Sequence, residues 1–304
     1  MMMTAPVSRR RLLAVAGATL ALGSVASLPL SGTARAAAPL AWTVLPGAAT
    51  SFFKASVLLT GATEAVLIDG AFTRSEGRAQ VAAIKASGKR LTTVFVSHGD
   101  PDYYFGLEEI RAAFPEARIV ATAETVAHIQ RTVEKKREFW GPKMGADAPT
   151  TIVLPVVLTA PVLELDGERL EIVTPEAGLP GRAFVWAPSV NGVFGGVLLF
   201  AGLHVWTADT AQPEQRQAWL RALDAIAARN PSLVVAAHMA PGSPTDGGAI
   251  RHTRDYLRAF DEELPKAANG AALIAAMKGR YPTAGLEIAL DIGAKVAKGE
   301  MRWG

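Results

Sequence analysis

Three potential metal ligands lie in one short segment that directly follows a predicted buried strand. Residues 97–107 read SHGDPDYYFGL, and the preceding residues 91–97 form the β-branched apolar run typical of such a strand. His98, Asp100 and Asp102 occupy alternate positions, so a loop can turn all three towards one point. Imidazole and carboxylate suit zinc, manganese or iron, and clustered carboxylates repel each other without a cation. The spacing alone is equally compatible with helix capping by either carboxylate.

The rest of the chain alternates between β-rich and helical stretches. Short apolar or β-branched runs predict strands, and amphipathic repeats predict helices. Strands are predicted over residues 42–45, 52–59, 65–68, 91–97, 117–121, 152–158, 162–165, 170–173, 183–186, 197–200 and 233–237, and helices over 75–87, 107–114, 123–136 and 214–228. A long loop is predicted over residues 138–150. Two successive halves of strands followed by helices predict an α/β fold, an αββα four-layer sandwich of two mixed sheets with helices outside.

The segment after the buried strand resembles the signature of the metallo-β-lactamase superfamily. That signature is His-x-His-x-Asp-His, followed two residues later by glycine. The present chain reads His98-x-Asp100-x-Asp102-Tyr103-x-x-Gly106. The resemblance implies the αββα fold and metal-dependent hydrolysis of an ester, lactone, amide or phosphoester.

Two further strands extend the resemblance along the chain. Residues 65–68 lead into Asp69 as an early strand of the superfamily leads into an aspartate, and residues 233–237 lead into His238 as a late strand leads into a ligand histidine. The resemblance covers essentially residues 37–304. It implies that His238 is a metal ligand, whereas Asp69 is expected to support the metal loop through hydrogen bonds.

Carried over position by position, the resemblance implies metal ligation by His98, Asp100, Asp102 and His238. Asp100 replaces a histidine with another potential ligand. If one metal ion is bound there, the chemistry predicts that Asp102 orients the water or acts as its general base, and that Tyr103 or Tyr104 donates a hydrogen bond to the developing oxyanion. We therefore expect Asp102 and Tyr103 to be catalytic. Tyr104 and His204 are expected to bind substrate, although a structural role is the commoner one for a lone histidine such as His204.

Three positions depart from the superfamily pattern. Tyr103 stands where a histidine is expected, and a phenol ligates a metal only when it is deprotonated. The Pro-Gly-His-Thr element, placed around residues 174–178, has lost its histidine and leaves Glu176 as the nearest substitute. The bridging aspartate after Gly196 is replaced by Val197. These losses predict one divalent ion instead of two, with zinc as the first expectation and iron or manganese as alternatives.

Two other functions are compatible with the same residues. The lost ligands allow a catalytically inactive, ligand-binding member of the fold, which would bind a small molecule without turnover. Carboxylate-rich sites of this fold can also hold iron, which would allow a redox role. If the protein hydrolyses a substrate and substitution at His98 or Asp102 abolishes this activity, the protein is a metal-dependent hydrolase and not an inactive, ligand-binding member of the fold.

Residues 1–36 have the pattern of a twin-arginine-type signal peptide, followed by a single superfamily domain over residues 37–304. The paired arginines Arg9 and Arg10 precede an apolar run, and a small-residue cleavage site ends at Ala36. We expect cleavage near Ala36, use of the twin-arginine export machinery, a periplasmic or secreted location, and no stable membrane span afterwards. Cleavage removes four of the 31 basic residues and no acidic residue, so 27 basic and 28 acidic residues remain. This nearly neutral charge gives no basis for nucleic-acid binding. With no cysteine, any metal requires oxygen and nitrogen ligands.

Overall fold

The computed structural model describes residues 40–175 and 179–303. The predicted signal peptide and Glu176 lie outside the described residues. Within these ranges, no helix is both long and apolar enough to cross a membrane.

The first β-sheet has six strands in the order of the sequence. Its strands are β1 (Ala41–Pro46), β2 (Ala55–Thr60), β3 (Glu64–Ile68), β4 (Arg90–Val96), β5 (Arg118–Ala121) and β6 (Val156–Val157). The pairs β1–β2 and β2–β3 are antiparallel, and the pairs from β3 to β6 are parallel. Because β3 and β4 are parallel neighbours, the residues that follow them, Asp69 and Ser97, meet at the same edge of the sheet.

The second β-sheet has five strands, β7 (Val162–Leu165), β8 (Glu168–Val173), β9 (Phe184–Ala187), β10 (Gly192–Phe194) and β12 (Leu233–Val235). Their order in the sheet is β12-β10-β9-β8-β7. A short parallel pair, β11 (Phe200–Ala201) and β13 (His238–Met239), adjoins this region. An isolated bridge between Lys54 and His238 connects β13 to the segment that enters β2.

The two sheets share an apolar core that contains alternate side chains of each strand. In β2, Val57 and Leu59 face the second sheet, whereas Leu58 belongs to the cluster that includes the helices. This alternation follows from the two-residue period of a strand. The helices are α1 (Arg74–Ala86), α2 (Leu107–Ala113), α3 (Ala123–Met144), α4 (Pro213–Ala228), α5 (Gly248–Glu263), α6 (Gly270–Arg280) and α7 (Glu287–Ala297). The predicted αββα arrangement is confirmed.

Three local predictions differ from the structure. The strand predicted over residues 197–200 is absent, and the chain instead forms β10 before it and β11 at its end. Gly195 and Gly196 have φ values of 69° and 76°, a left-handed conformation that ends β10. Helix α3 continues to Met144, into the region predicted as a loop, and the strand predicted over residues 152–158 is reduced to β6.

Candidate functional site

Asp69 holds the loop that carries the first predicted ligand. Its Oδ1 accepts a hydrogen bond from the backbone N–H of Ser97 at 2.7 Å, and its Oδ2 accepts from the Ser97 hydroxyl at 2.9 Å. Lys54 Nζ also donates to Oδ2, at 3.1 Å, and both members of this ion pair are buried. Ser97 immediately precedes His98, so this network sets the direction in which the loop that carries His98 leaves β4. The expected supporting role of Asp69 is confirmed.

The Nε2 atom of the His98 ring faces the carboxylate of Asp100. Its Nδ1 lies 2.9 Å from the carbonyl oxygen of Gly181, which can only accept, so Nδ1 carries a proton. Burial lowers the pKa of His98, but the charge of Asp100 raises it above its ordinary value, so Nε2 carries a proton facing Asp100 unless a metal ion displaces that proton; the neutral ring then presents a lone pair. Nε2 is buried, has no hydrogen-bond partner among the described residues, and lies 3.3 Å from Asp100 Oδ2. Two acceptors at this distance require a proton or a metal ion between them.

Asp209 completes a group of three potential ligands with His98 and Asp100. One ligand atom from each residue lies within 4.8 Å of the others. Asp209 lies on a single 3-10 turn, Ala208–Thr210, and its Oδ2 accepts a hydrogen bond from Trp206 Nε1 at 2.9 Å. Asp209 is not predictable from the sequence, because no motif or spacing connects it to the loop after β4.

The other two predicted ligands, Asp102 and His238, form a separate pair. Asp102 Oδ2 is buried without a hydrogen-bond partner in the described part of the chain and lies 3.5 Å from His238 Nε2. His238 Nδ1 donates to the carbonyl of Phe52 at 2.9 Å, which leaves Nε2 as an acceptor. The Tyr103 hydroxyl, 3.2 Å away, donates to that nitrogen. Tyr103 therefore competes with a metal ion for the His238 lone pair.

Burial controls the protonation of this second group. Burial and then the charge of Asp100 raise the pKa of Asp102 to about 7, so it exchanges a proton near neutrality. Burial and then the charge of Asp102 raise the pKa of Tyr103 well above its ordinary value, so the phenol stays protonated. Burial lowers the pKa of His238 to about 3, which keeps this ring neutral.

Fixed cations surround the carboxylates. Lys136 Nζ lies 2.6 Å from Asp100 Oδ1 and 3.1 Å from His128 Nε2. Lys54 Nζ lies 4.4 Å from the centroid of the Tyr103 ring. Although burial alone would raise the pKa of Asp100, the charges of Lys136 and His98 hold it well below its ordinary value. Asp100 is therefore ionised, with Oδ1 bonded to Lys136 and Oδ2 facing His98.

Arg182 is a third cation that the sequence analysis missed. It follows Pro180 and Gly181, the dipeptide that also precedes the histidine of the Pro-Gly-His-Thr element, and its charge opposes the protonation of His98. Pro180-Gly181-Arg182 is thus a second position, besides residues 174–178, at which that element can be placed. The second Pro-Gly pair was the signal that could have identified Arg182.

A largely apolar cavity of about 300 Å³ opens beside these groups. Asp100, Asp102, Asp209 and His238 contribute to one part of its wall. Aromatic side chains form much of the remainder, namely Phe52, Phe139, Trp140, Phe200, Trp206 and Trp303. Val197, which stands where a bridging aspartate was expected, also lines the cavity and offers no ligand atom.

The two residues predicted to bind substrate lie outside the described cavity lining. Tyr104 is fully buried, and its hydroxyl has no hydrogen-bond partner within the described ranges. His204 is buried in the helical layer, where its Nδ1 lies 3.1 Å from the Tyr256 hydroxyl. These surroundings provide structural roles for both side chains, and their contact with a substrate stays a prediction.

His204 is expected to make the protein less stable in acid. Burial, followed by the charge of Lys278, lowers its pKa to about 4. Between about pH 6.5 and pH 4, His204 is protonated in the unfolded chain but stays neutral in the folded chain. The free energy of unfolding therefore decreases as pH falls through this range. His204→Asn should reduce the loss between pH 7.5 and pH 5 by about 1 to 2 kcal/mol, measured by guanidinium chloride unfolding. An identical pH dependence in both proteins would contradict this assignment.

The donor set of the first group fits one divalent metal ion. His98 supplies an unpartnered nitrogen, while Asp100 and Asp209 supply carboxylate oxygens nearby, and such mixed nitrogen and oxygen ligands suit zinc, iron or manganese. Asp102 and His238 extend the polar wall beside this group. The described residues thus contain a His-Asp-Asp group that could hold a metal ion, and metal ligation by Asp102 and His238 stays a prediction.

Comparisons with known proteins agree with this architecture. A beta-lactamase domain protein from Burkholderia ambifaria is similar in structure, with a TM-score of 0.59 and 15% identity over 86% of this chain and 84% of that chain. A metallo-beta-lactamase family protein from Thermus thermophilus has a TM-score of 0.56 and 17% identity over 82% of this chain and 91% of that chain. No curated protein matches the sequence significantly. The sequence model of the metallo-beta-lactamase superfamily matches residues 49–238, more than half of the chain. The chain therefore belongs to the metallo-beta-lactamase superfamily.

Proposed function

We propose that the protein is a hydrolase that uses one divalent metal ion to cleave an ester, lactone, amide or phosphoester bond in a small molecule. The proposed ligands are His98, Asp100 and Asp209, with Asp102 and His238 beside them. Zinc is the proposed ion, and the ligand set also allows iron or manganese. Superfamily membership supports metal-dependent hydrolysis, but a fold does not specify a substrate.

The observation that carries the proposal is the buried Nε2 of His98, which has no well-aligned hydrogen bond among the described residues and faces Asp100 Oδ2 at 3.3 Å. A buried acceptor without a partner costs about 1 to 3 kcal/mol, so such atoms are normally satisfied. The hydrogen bond to Gly181 fixes the ring, and one ligand atom each of His98, Asp100 and Asp209 lies within 4.8 Å of the others. A divalent ion would satisfy all three ligands together.

The chain's own residues supply the remaining chemistry. A bound divalent ion would act as a Lewis acid that polarises the scissile carbonyl or phosphoryl oxygen. Asp102 accepts a proton at its free Oδ2, and its pKa of about 7 suits a general base that works near neutrality. Tyr103 keeps its proton and orients His238 through their hydrogen bond.

The cavity wall supports a substrate that carries an apolar or aromatic group. The Trp303 ring lies 5.1 Å from Trp206 and 6.4 Å from Phe139, measured between centroids. Phe52 and Trp140 lie edge to face at 5.1 Å in the same wall. Aromatic side chains contribute large apolar areas in ligand sites, so these rings would bind the part of the substrate that does not react.

Trp303→Ala is expected to weaken binding of aromatic substrates. The substitution removes one face of the aromatic wall, so KM for an aryl ester or aryl lactone should rise about tenfold, with little change in kcat. KM for an acetyl ester should change much less. Trp42→Ala is the matched control, because Trp42 is 45% exposed on β1 and does not contribute to the described cavity lining. Equal KM changes in both variants would contradict the assignment.

Metal analysis combined with a hydrolysis panel tests the proposed function. The purified protein, folded with zinc, manganese or iron supplied, should retain about one equivalent of metal and hydrolyse at least one ester, lactone, amide or phosphoester. Asp209→Asn should weaken metal binding and reduce turnover, whereas Asp224→Asn, an exposed control on α4, should do neither. Absence of both metal and turnover from the wild-type protein would refute the proposal.

A ligand-binding protein without catalytic activity is the second candidate. It is favoured by the ion pair between Lys136 and Asp100, which neutralises one carboxylate without a metal ion. This candidate predicts that a small apolar ligand raises Tm while no substrate of the panel is turned over. Turnover that is lost on removal of His98 would exclude it.

We also propose export through the twin-arginine machinery, cleavage near Ala36 and a periplasmic or secreted location, on the basis of residues 1–36 alone. Replacement of Arg9 and Arg10 by lysine should retain the protein inside the producing cell. Mass spectrometry of the exported form should find a chain that begins near residue 37. Export that is unaffected by the double replacement would contradict this route.

A further inference from the structure

Trp206 contacts both a proposed metal ligand and the aromatic part of the cavity wall. It contributes to the cavity lining, and its Nε1–H donates to Asp209 Oδ2 at 2.9 Å. Its ring packs edge to face on the Trp303 ring, with 5.1 Å between the centroids. A single indole group therefore links the side chain that would hold a metal ion to the surface that would bind the apolar part of a substrate.

The hydrogen bond from Trp206 sets the direction of the Asp209 carboxylate. Within the described ranges, this carboxylate accepts no other hydrogen bond from the protein. Asp209 lies on one 3-10 turn, Ala208–Thr210, which is closed by the bond from the Thr210 N–H to the Thr207 carbonyl at 3.0 Å. That backbone bond does not restrain the side-chain torsions of Asp209. Because an ionised carboxylate has about four lone-pair sites, it can accept from Trp206 and ligate an ion at the same time.

The direction of this carboxylate matters for the group of three potential ligands. Asp209 places one ligand atom within 4.8 Å of ligand atoms of His98 and Asp100. His98 is oriented by its bond to the Gly181 carbonyl. Asp100 is oriented by Lys136. The indole supplies the corresponding partner for Asp209. Hydrogen-bond partners behind metal ligands set the orientation of those ligands, and the loss of one typically lowers metal affinity about 10- to 100-fold.

We propose that Trp206 is a positioning residue with two separable roles. Its N–H orients Asp209 towards the metal ion, and its ring binds the apolar group of the substrate. The first role rests on the proposed metal site, and the second rests on the proposed aromatic wall. Trp206 acts on the metal ion through Asp209 and does not contact the ion itself.

Trp206→Phe separates the two roles, because phenylalanine keeps an aromatic ring and lacks the N–H donor. Zinc affinity is measured on metal-free protein by competition with a chromogenic chelator, and Trp206→Phe should bind zinc about 10- to 100-fold more weakly than the wild type. The neutral fluorescent probe N-phenyl-1-naphthylamine, titrated into metal-free protein, should bind Trp206→Phe within about threefold of the wild type. Trp206→Ala loses both groups, so it should weaken zinc as much and the probe about tenfold. A loss confined to zinc is the result that a merely structural role would not produce.

Trp140→Phe is the matched control for the loss of an indole N–H. Trp140 lines the same cavity, and its ring packs on Phe52 and Phe72. Its N–H donates to no residue in the part of the chain that the structure describes. Trp140→Phe should therefore keep the wild-type zinc affinity within about twofold. If circular dichroism shows that Trp206→Phe is unfolded, Trp206→Leu provides the same zinc comparison.

The possible outcomes separate this inference from the proposed function. Equal zinc affinity in the wild type and Trp206→Phe would overturn the orienting role and leave the proposed metal site intact. The same loss of zinc affinity in Trp140→Phe as in Trp206→Phe would also overturn that role. Probe binding that is absent from the wild type, or unchanged in Trp206→Ala, would overturn the role of the ring. Absence of zinc binding from the wild type would overturn the proposed function together with the orienting role.

Discussion

His98→Ala is expected to leave a folded protein that retains less than about 0.1 equivalent of divalent metal. The substitution removes the only nitrogen ligand of the group that His98 forms with Asp100 and Asp209. Without the Lewis acid, kcat/KM for any substrate found in the panel should fall at least about 1,000-fold, because a bound metal contributes several kcal/mol to transition-state stabilisation. Metal content by plasma mass spectrometry and initial rates are the two measurements.

His252→Ala is the control for the loss of an imidazole. His252 lies in the helical layer, where its Nε2 donates to the Leu203 carbonyl oxygen at 2.7 Å, and it is not among the described cavity-lining residues. Its removal should preserve metal content and rate. Full metal content in His98→Ala would show that the ion binds elsewhere, for example at Asp102 and His238.

Asp69→Ala is expected to cause the largest loss of stability, about 3 to 5 kcal/mol. The substitution leaves the Lys54 ammonium buried without its counter-ion, and it removes both acceptors of the Ser97 backbone and hydroxyl groups. Breaking one member of a buried pair is costly because the remaining charge is uncompensated. Guanidinium chloride unfolding of the metal-free protein gives the change in unfolding free energy.

Two comparisons isolate the cause of that loss. Glu287→Ala breaks an exposed ion pair with Lys278, whose atoms are 2.7 Å apart, and should affect unfolding far less because water solvates the remaining charge. Lys54→Met combined with Asp69→Asn removes both charges and should recover part of the loss. A loss in Asp69→Ala no greater than that in Glu287→Ala would contradict the stabilising role of the buried pair.

The fold could be predicted from local patterns because strand and helix periods are properties of the backbone. Residues 91–97 formed β4 almost as expected, since alternate side chains of a buried strand must pack on both faces. The prediction failed at residues 197–200, where apolar composition resembles a strand but Gly195 and Gly196 turn the chain out of the sheet. Apolar runs do not by themselves indicate where a chain turns.

The candidate site was only partly predictable. His98 and Asp100 are neighbours in sequence, and both belong to the three-residue group. Asp209 comes from a separate turn, Ala208–Thr210, and has no local pattern that connects it to the loop. Its proximity to His98 and Asp100 results from tertiary packing of segments that are distant in sequence.

The sequence by itself determined the four-layer architecture, the strand that positions His98, and the supporting role of Asp69. Only the tertiary structure decided which atoms remain available to a metal ion. Lys136 engages one oxygen of Asp100, Tyr103 engages the His238 nitrogen, and His98 Nε2 faces the other oxygen of Asp100. The physical reason is that periodicity depends on neighbouring residues, whereas the partner of a buried polar atom depends on which distant segments pack against it.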